Sequence, residues 1–162
     1  MSLTQRSMIM RGSAYADGMF NGNQDAAQSY MHMMTAEGLS RAESLAKFRE
    51  YMKERMGKYN SYTCNAKRWE AKGDGVRASN AYHQAAFQLG MAMHPIMDST
   101  SPAHTNLRYW DAFADWQWAD HGPWPWSDEH IDNLTPDLEW RTTTIMRNIL
   151  DKYGSEDCEC EG

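Results

Sequence analysis

Apolar residues recur at helical spacing in four segments of the chain, and no segment alternates apolar and polar residues for long enough to predict a strand. The first segment runs from a favourable N-cap at Asn23 to Gly38, where the pattern stops. The second begins at Ser40, which is spaced to form a capping box with Glu43, and continues to Tyr59. These two patterns predict two amphipathic helices.

Two later segments carry the same pattern. The third begins at Gly75 and reaches His94, where Pro95 lacks an N–H group and disfavours helical geometry in the residue before it. We therefore expect this helix to kink or end at about His94. The last segment begins with the N-cap Thr135 and ends at Gly154, which predicts a C-terminal helix.

Two stretches between these segments lack a clear helical pattern. Residues 61–73 are polar and predict a connector that can hold a short helix, whereas residues 105–130 contain five of the seven tryptophans together with Gly and Pro. A Trp-rich loop of this kind packs into the core, stacks on nucleobases or dips into lipid headgroups. The predicted fold is an all-α helical bundle of about four to six helices with a long Trp-rich loop.

The length of 162 residues suits one domain, which we place at residues 4–160. Residues 1–3 and 161–162 resemble remnants of cloning and are left out of the predicted domain. The three cysteines are an odd number, and two of them form a Cys-x-Cys pair, so they define no disulfide framework.

Net charge and hydropathy argue against two classes of protein, those that bind duplex DNA and those that span a membrane. The net charge of −6 and the lack of a Lys/Arg stripe argue against a protein that binds duplex DNA. The sequence has no apolar run of the roughly 18–20 residues that a membrane span needs, and no signal-peptide pattern. We therefore expect a soluble protein.

The stretch HPIMDSTSPAH contains the residues with the clearest chemistry. His94 and Asp98 are four residues apart, so they share one helix face if the chain stays near-helical across Pro95. The Ser- and Pro-containing residues that follow can turn the chain so that His104 reaches the same point. Two imidazoles and a carboxylate suit zinc and leave room for a water molecule. The alternative is a histidine that only caps the helix end.

The spacing His-x3-Asp-x5-His, with Pro102 two positions before the last His, resembles the zinc-dependent phospholipase C family and the related single-strand-specific zinc nucleases. The resemblance covers residues 80–105 and implies a mostly helical hydrolase of phosphodiesters. The sequence STSPAH also resembles the C-terminal toxin domains of rearrangement-hotspot (Rhs) repeat proteins. That second resemblance implies a domain secreted or delivered as part of a larger bacterial protein, with an immunity protein as partner.

Carried onto this chain, the resemblance makes His94, Asp98 and His104 metal ligands. It adds Glu129 as a further ligand, with His121 in the place of the family's preceding His. Asp98 and Glu129 are the expected catalytic residues. His32, on a Met-rich pattern, is either a ligand or a satisfied core histidine. The expected cofactor is zinc, as one to three ions.

Two function classes stay open from the sequence. One is a zinc-dependent phosphodiester hydrolase that acts on a phospholipid or on single-stranded nucleic acid. The other is a non-catalytic helical interaction domain in which any metal is structural and four protein ligands close the site. An open coordination position facing the Trp-rich loop would favour the enzyme.

Overall fold

A computed structural model describes residues 1–18, 25–36, 38–101, 104, 107 and 135–153. The chain forms four α-helices and one 3-10 helix within these ranges, which contain no strand. The elements in chain order are α1 (Leu3–Ala16), the 3-10 helix (Ala26–His32), α2 (Arg41–Ala71), α3 (Gly75–Thr100) and α4 (Pro136–Tyr153). The predicted all-α bundle is therefore confirmed.

Helix α1 was not predicted from the sequence pattern. Its N-cap is Ser2, which forms a capping box with Gln5, so a residue left out of the predicted domain takes part in the fold. The buried residues of α1 are Gly12 and Ala16. Because small residues make its contact with α3, the helix lacks the stripe of large apolar side chains by which amphipathic helices are recognised.

The first predicted helix, residues 23–38, is wrong in kind and in length. The described part of it is the 3-10 helix Ala26–His32, which ends because Met33 adopts a left-handed conformation with φ of 53°. The backbone N–H of Met34 then donates to the Ser29 carbonyl. The apolar spacing that predicted an α-helix is satisfied here by a tighter helix and a turn.

Helix α2 begins as predicted and ends later than predicted. Ser40 and Glu43 form the expected capping box, and the helix continues through most of the stretch 61–73 that was interpreted as a connector. That stretch is polar because much of it faces solvent, and its alanine, lysine, arginine and glutamate residues are good helix formers. Cys64 lies in this part of α2 and is disulfide-bonded, which the odd number of cysteines did not predict.

Helix α3 continues through Pro95 to Thr100, so the predicted end at His94 is wrong. Proline at this position removes the N–H that would donate to the Met91 carbonyl four residues earlier. The Tyr51 hydroxyl of α2 donates to that carbonyl instead, at 3.2 Å. Because a side chain from the neighbouring helix replaces the missing donor, the helix can pass the proline without leaving a buried carbonyl unsatisfied.

The central element of the bundle is α3, which packs against α1, α2 and α4. Alanines and glycines along α3 let its neighbours approach closely: a Cβ on Gly90 would lie 2.0 Å from the Ile9 carbonyl oxygen of α1. The core residues around it are Ala16, Met31, Tyr51, Met52, Met56, Leu89, Met91, Ala92 and Ile96. This packing fixes α1 and α2 on either side of the residues that carry the candidate chemistry.

The C-terminal helix begins as predicted, since α4 starts at Pro136 and the Thr135 carbonyl accepts from the Glu139 N–H. The predicted end at Gly154 and the Trp-rich loop lie outside the described residues. Of the helices within the described ranges, none combines the length and the apolar character needed to cross a membrane.

Candidate metal centre

Three elements bring a carboxylate and two imidazoles to one point. Asp17 follows the last residue of α1, His32 ends the 3-10 helix, and His94 lies in the last third of α3. One ligand atom from each of the three residues lies within 4.8 Å of the other two. The two histidines are buried, and the Asp17 side chain is 60% exposed. This group is able to bind a metal ion.

Asp98, one helical turn after His94, completes what we call the His–Asp cluster: Asp17, His32, His94 and Asp98. Its Oδ2 atom lies 3.1 Å from His94 Nε2 and 3.3 Å from His32 Nδ1. The two ring nitrogens are 3.1 Å apart, and Asp17 Oδ1 lies 3.3 Å from His94 Nε2 and 3.9 Å from His32 Nδ1. Ligands about 2.0–2.2 Å from a tetrahedral zinc ion are separated by roughly 3.3–3.6 Å, so Asp17, His32 and His94 are spaced to share one cation. Asp98 lies within the same distance of both imidazoles.

Hydrogen bonds alone do not satisfy every facing atom of the His–Asp cluster. A ring nitrogen carries one hydrogen or one lone pair, yet His94 Nε2 faces a second ring nitrogen and two carboxylate oxygens. If both histidines were protonated on the facing atoms, their N–H groups would point at each other across 3.1 Å. A metal ion accepts lone pairs from all of these atoms at once, which a proton cannot do.

The remaining ring nitrogen of His94 has a partner of its own. Its Nδ1 atom lies 3.4 Å from the Ser13 hydroxyl of α1, one turn before Asp17. A histidine that donates from one ring nitrogen presents the lone pair of the other, and such partners commonly orient metal-binding imidazoles. Ser13 therefore fixes the orientation of the His94 ring, in which Nε2 points into the His–Asp cluster.

Helix ends add to the negative potential at this point. Asp17 is the C-cap of α1, Asp98 lies in the last turn of α3, and His32 is the last residue of the 3-10 helix. The C-terminal end of a helix carries a partial negative charge, so a carboxylate there is unfavourable unless something offsets it. Two carboxylates at two helix C-termini form a site in which a cation is stabilised.

Asp98 is held in its ionised form. Burial by itself would raise the pKa of this carboxyl group, but the adjacent His94 and the hydrogen bonds from His32 and His94 lower it further than burial raises it. His104 contributes in the same direction through its charge. The pKa of Asp98 is thus below its ordinary value, and the group is a carboxylate at neutral pH.

The structure brings together most of the ligands predicted within its described part. His94 and Asp98 share one face of α3, as their spacing predicted, and His32 contacts both of them. His104 is buried near Asp98, after a turn in which its N–H donates to the Ser101 carbonyl. The other two predicted ligands, His121 and Glu129, lie outside the described residues.

Asp17 is the member of the His–Asp cluster that sequence reasoning missed. The segment around it, AYADG, has no metal-binding spacing, because its partners lie in other elements. One signal was present: an acidic residue beside glycine at the end of a possible helix is placed against the helix dipole. Such a carboxylate is worth testing as a ligand when histidines occur elsewhere.

In comparisons with known proteins, the chain matches no family model, no curated protein and no solved structure.

Proposed function

We propose that the chain is a metal-dependent phosphodiester hydrolase whose metal is held by the His–Asp cluster. The observation that carries the proposal is the convergence of two imidazoles and the Asp17 carboxylate at a point that is open to solvent on the Asp17 side, with Asp98 in contact with both imidazoles. Zinc is the metal that this donor set favours, because it offers nitrogen and oxygen ligands without a thiolate. The choice of phosphodiesters rests on the resemblance of the motif His-x3-Asp-x5-His.

We assign a role to each residue of the His–Asp cluster from the exposure of its side chain. Buried His32 and His94 hold the metal, and Asp98, with its low pKa, serves better as a ligand than as the general base expected from the sequence. Asp17 is at the mouth of the cluster, where it can orient an incoming water molecule. A zinc ion bound here would polarise a phosphoryl oxygen and make water a better nucleophile.

A second candidate function is a non-catalytic helical domain with a structural metal. It is favoured by the number of nearby ligands, since His32 and His94 together with Asp17 or with Asp98 supply three of the four that a closed tetrahedral site needs. The exposure of the Asp17 side chain argues for the enzyme, because it leaves one side of the site within reach of water and substrate.

Cobalt substitution distinguishes the hydrolase from the domain with a structural metal. Inorganic phosphate should change the visible absorption spectrum of the cobalt-loaded protein if a coordination position is open. A spectrum insensitive to phosphate would favour the structural site.

Hydrolysis is tested with zinc-loaded protein on a single-stranded oligonucleotide and on phosphatidylcholine vesicles. We expect cleavage of at least one substrate, and we expect His94→Ala to abolish it. His83→Ala is the matched control, because His83 lies on the same helix three turns before His94 and is partly exposed. If zinc-loaded wild-type protein cleaves neither substrate, or if both variants are equally active, the proposal is wrong.

We also propose, on the resemblance alone, that the hydrolase is the toxin domain of a larger secreted Rhs-type protein with its own immunity protein. Co-expression with the neighbouring open reading frame of the parent gene tests this, because an immunity protein should abolish the toxicity of the expressed chain.

A further inference from the structure

Helix α2 supplies no residue of the His–Asp cluster, yet one of its side chains contacts both of the elements that carry the histidines. The hydroxyl of Tyr51 donates to the Met91 carbonyl of α3 at 3.2 Å. Its ring packs edge to face with the Tyr30 ring of the 3-10 helix, with the ring centroids 5.8 Å apart. Tyr51 therefore joins the two histidine-bearing elements from a third element.

The contact with α3 is made at the turn that contains His94. The N–H that Pro95 lacks would have donated to the Met91 carbonyl, so Met91 and Pro95 bound this turn. The Tyr51 hydroxyl is the donor that replaces the N–H, and burial raises its pKa, so it stays protonated at neutral pH. Without that donor a buried carbonyl would lack a partner, and a helix opens most easily at such a proline. His94 would then move with its backbone.

The contact with the 3-10 helix is made two residues before His32. Tyr30 is partly buried, and Met31, which lies between Tyr30 and His32, is buried in the same core cluster as Tyr51. Hydrogen bonds in a 3-10 helix have poorer geometry than those in an α-helix, so a short one depends on the packing of its side chains. The position of His32 therefore depends on how Tyr30 and Met31 pack against α2.

The Tyr51 side chain is itself held in place. It is only 4% exposed, and the guanidinium group of Arg55, one turn later on α2, lies over its ring at 5.0 Å from the centroid. Arg55 Nη1 also lies 3.7 Å from Met91 Sδ, so the same cation contacts the residue whose carbonyl Tyr51 binds. A cation over the ring and a buried hydrogen bond at the hydroxyl fix the ring in one position.

We propose that Tyr51 is a positioning residue of the metal centre, which sets the separation of His32 and His94 by bracing the two elements that carry them. The hydroxyl acts on His94 through the Met91 carbonyl, and the ring acts on His32 through Tyr30. The facing ring nitrogens of the histidines are 3.1 Å apart, and a metal ion tolerates changes of only about 0.2 Å in its ligand distances. This inference rests on the metal site of the proposed function and not on its hydrolytic activity.

The hydroxyl is tested by zinc affinity and by the visible absorption spectrum of the cobalt-loaded protein. Tyr51→Phe removes the hydroxyl and keeps the ring. Pro95→Ala, alone and combined with Tyr51→Phe, restores a donor within α3 itself. Asp74→Ala is the matched control, because it also removes one hydrogen bond of α3 but does so at the other end of the helix. Urea denaturation measures the stability of every variant, and circular dichroism confirms that each one folds.

We expect Tyr51→Phe to weaken zinc binding by about tenfold, as for the loss of a group that supports a metal ligand, and to shift the cobalt absorption bands. In the Pro95→Ala background, Tyr51→Phe should change zinc affinity by less than about twofold. Asp74→Ala should lower stability and leave zinc affinity and the cobalt spectrum unchanged. Zinc affinity equal to that of the wild type in Tyr51→Phe, or a loss that Pro95→Ala does not reduce, would overturn the inference.

The ring is tested by two further variants. Tyr51→Leu removes the hydroxyl and the ring together, so it should weaken zinc binding more than Tyr51→Phe does, by about 100-fold in total. Tyr30→Leu removes the same ring contact from the side of the 3-10 helix and should weaken zinc binding in the wild type but little in the Tyr51→Leu background. If Tyr51→Leu does not fold, Tyr30→Leu alone tests the ring. Unchanged zinc affinity in Tyr30→Leu would contradict the action of the ring on His32.

Failure of the proposed function gives a different pattern. Protein that binds zinc but cleaves no phosphodiester contradicts the hydrolase, and the zinc affinities of the variants still test Tyr51. If the wild type takes up no zinc, NMR signals of the imidazole rings in the metal-free protein provide the test. Tyr51→Phe should then shift the ring signals of His94 and leave those of His83, three turns earlier on α3, unchanged. His94 signals that do not move would overturn the inference.

Discussion

The two ends of α3 are built by different kinds of contact. The N-terminal end of α3, which we call the turn end, follows the turn that joins it to α2. There the Asp74 side chain accepts a hydrogen bond from the Arg77 N–H, and the Arg77 guanidinium lies 4.5 Å from the Trp69 ring centroid. These residues lie within nine positions of each other. At the C-terminal end, which we call the site end, His94 contacts Ser13 and His32, which are 81 and 62 residues away in sequence.

The difference predicts how each end of α3 responds to substitution. The turn end exposes its charged residues to solvent and is stabilised by local contacts that each contribute little. The site end buries the imidazoles of His32 and His94, and it depends on two other elements, α1 and the 3-10 helix, to complete the site. We expect changes at the site end to cost stability or metal affinity, and matched changes at the turn end to cost little of either.

The largest effect on stability should come from the packing of α1 on α3. A Cβ at Gly90 would lie 2.0 Å from the Ile9 carbonyl oxygen, a backbone atom that cannot move aside easily. We expect Gly90→Ala to lower the free energy of unfolding by about 3 kcal/mol, measured by urea denaturation. A Cβ at Gly75 meets nothing within 4 Å, so Gly75→Ala at the turn end should change it by less than about 0.5 kcal/mol. Equal effects would contradict this packing.

The second prediction compares Asp98, in the last turn of α3, with Asp74, the N-cap residue of the same helix. Asp98→Asn keeps the shape of the side chain but removes a charged ligand, so zinc affinity should fall by about 10- to 100-fold or more and hydrolysis should nearly vanish. Asp74→Asn at the turn end should change neither, because Asn caps a helix as well as Asp. Zinc titration and melting temperature are measured on both variants. A fully active Asp98→Asn variant with its full metal content would contradict the role of Asp98.

The third prediction concerns the passage of α3 through Pro95. Tyr51→Phe removes the hydroxyl that donates to the Met91 carbonyl, and the buried acceptor left behind should cost about 1–2 kcal/mol of unfolding free energy. Pro95→Ala restores a backbone N–H at that point, so Tyr51→Phe should cost about 1 kcal/mol less in the Pro95→Ala background. Additive effects in this double-mutant cycle would mean that the hydroxyl does not replace the missing donor.

The smallest effect is expected at the turn end itself. Asp74→Ala removes the N-cap hydrogen bond of α3 and should cost about 1 kcal/mol of unfolding free energy. Zinc affinity should be unchanged within error, since the cap is about five turns away from His94. A loss of zinc affinity comparable with that of Asp98→Asn would show that the two ends of α3 are not independent.

The same contrast explains what could be predicted from the sequence. The Ser40 capping box and the start of α4 after Thr135 depend on neighbouring residues, and both were predicted. The helical path through Pro95 depends on Tyr51 of another helix, and the role of Asp17 depends on two other elements, so neither has a local signal. His94 and Asp98 were predicted as a pair because one helical turn joins them.

Helix α1 was missed for a related reason. The backbones of α1 and α3 approach each other directly at Gly12 and Gly90, so hydrophobic periodicity gives little sign of α1. The cluster that α1 completes through Asp17 could not be assembled from the sequence until that helix was placed.

Zinc binding to the wild-type protein, followed by X-ray absorption spectroscopy, decides whether the His–Asp cluster is a metal site. We expect uptake of at least one equivalent of zinc, a first shell of nitrogen and oxygen at about 2.0–2.2 Å with two imidazoles, and no sulfur. Both His32→Ala and His94→Ala should lose this signal, whereas His83→Ala should keep it. Protein that takes up no zinc, or a zinc shell that contains sulfur, would contradict a metal site formed by Asp17, His32, His94 and Asp98.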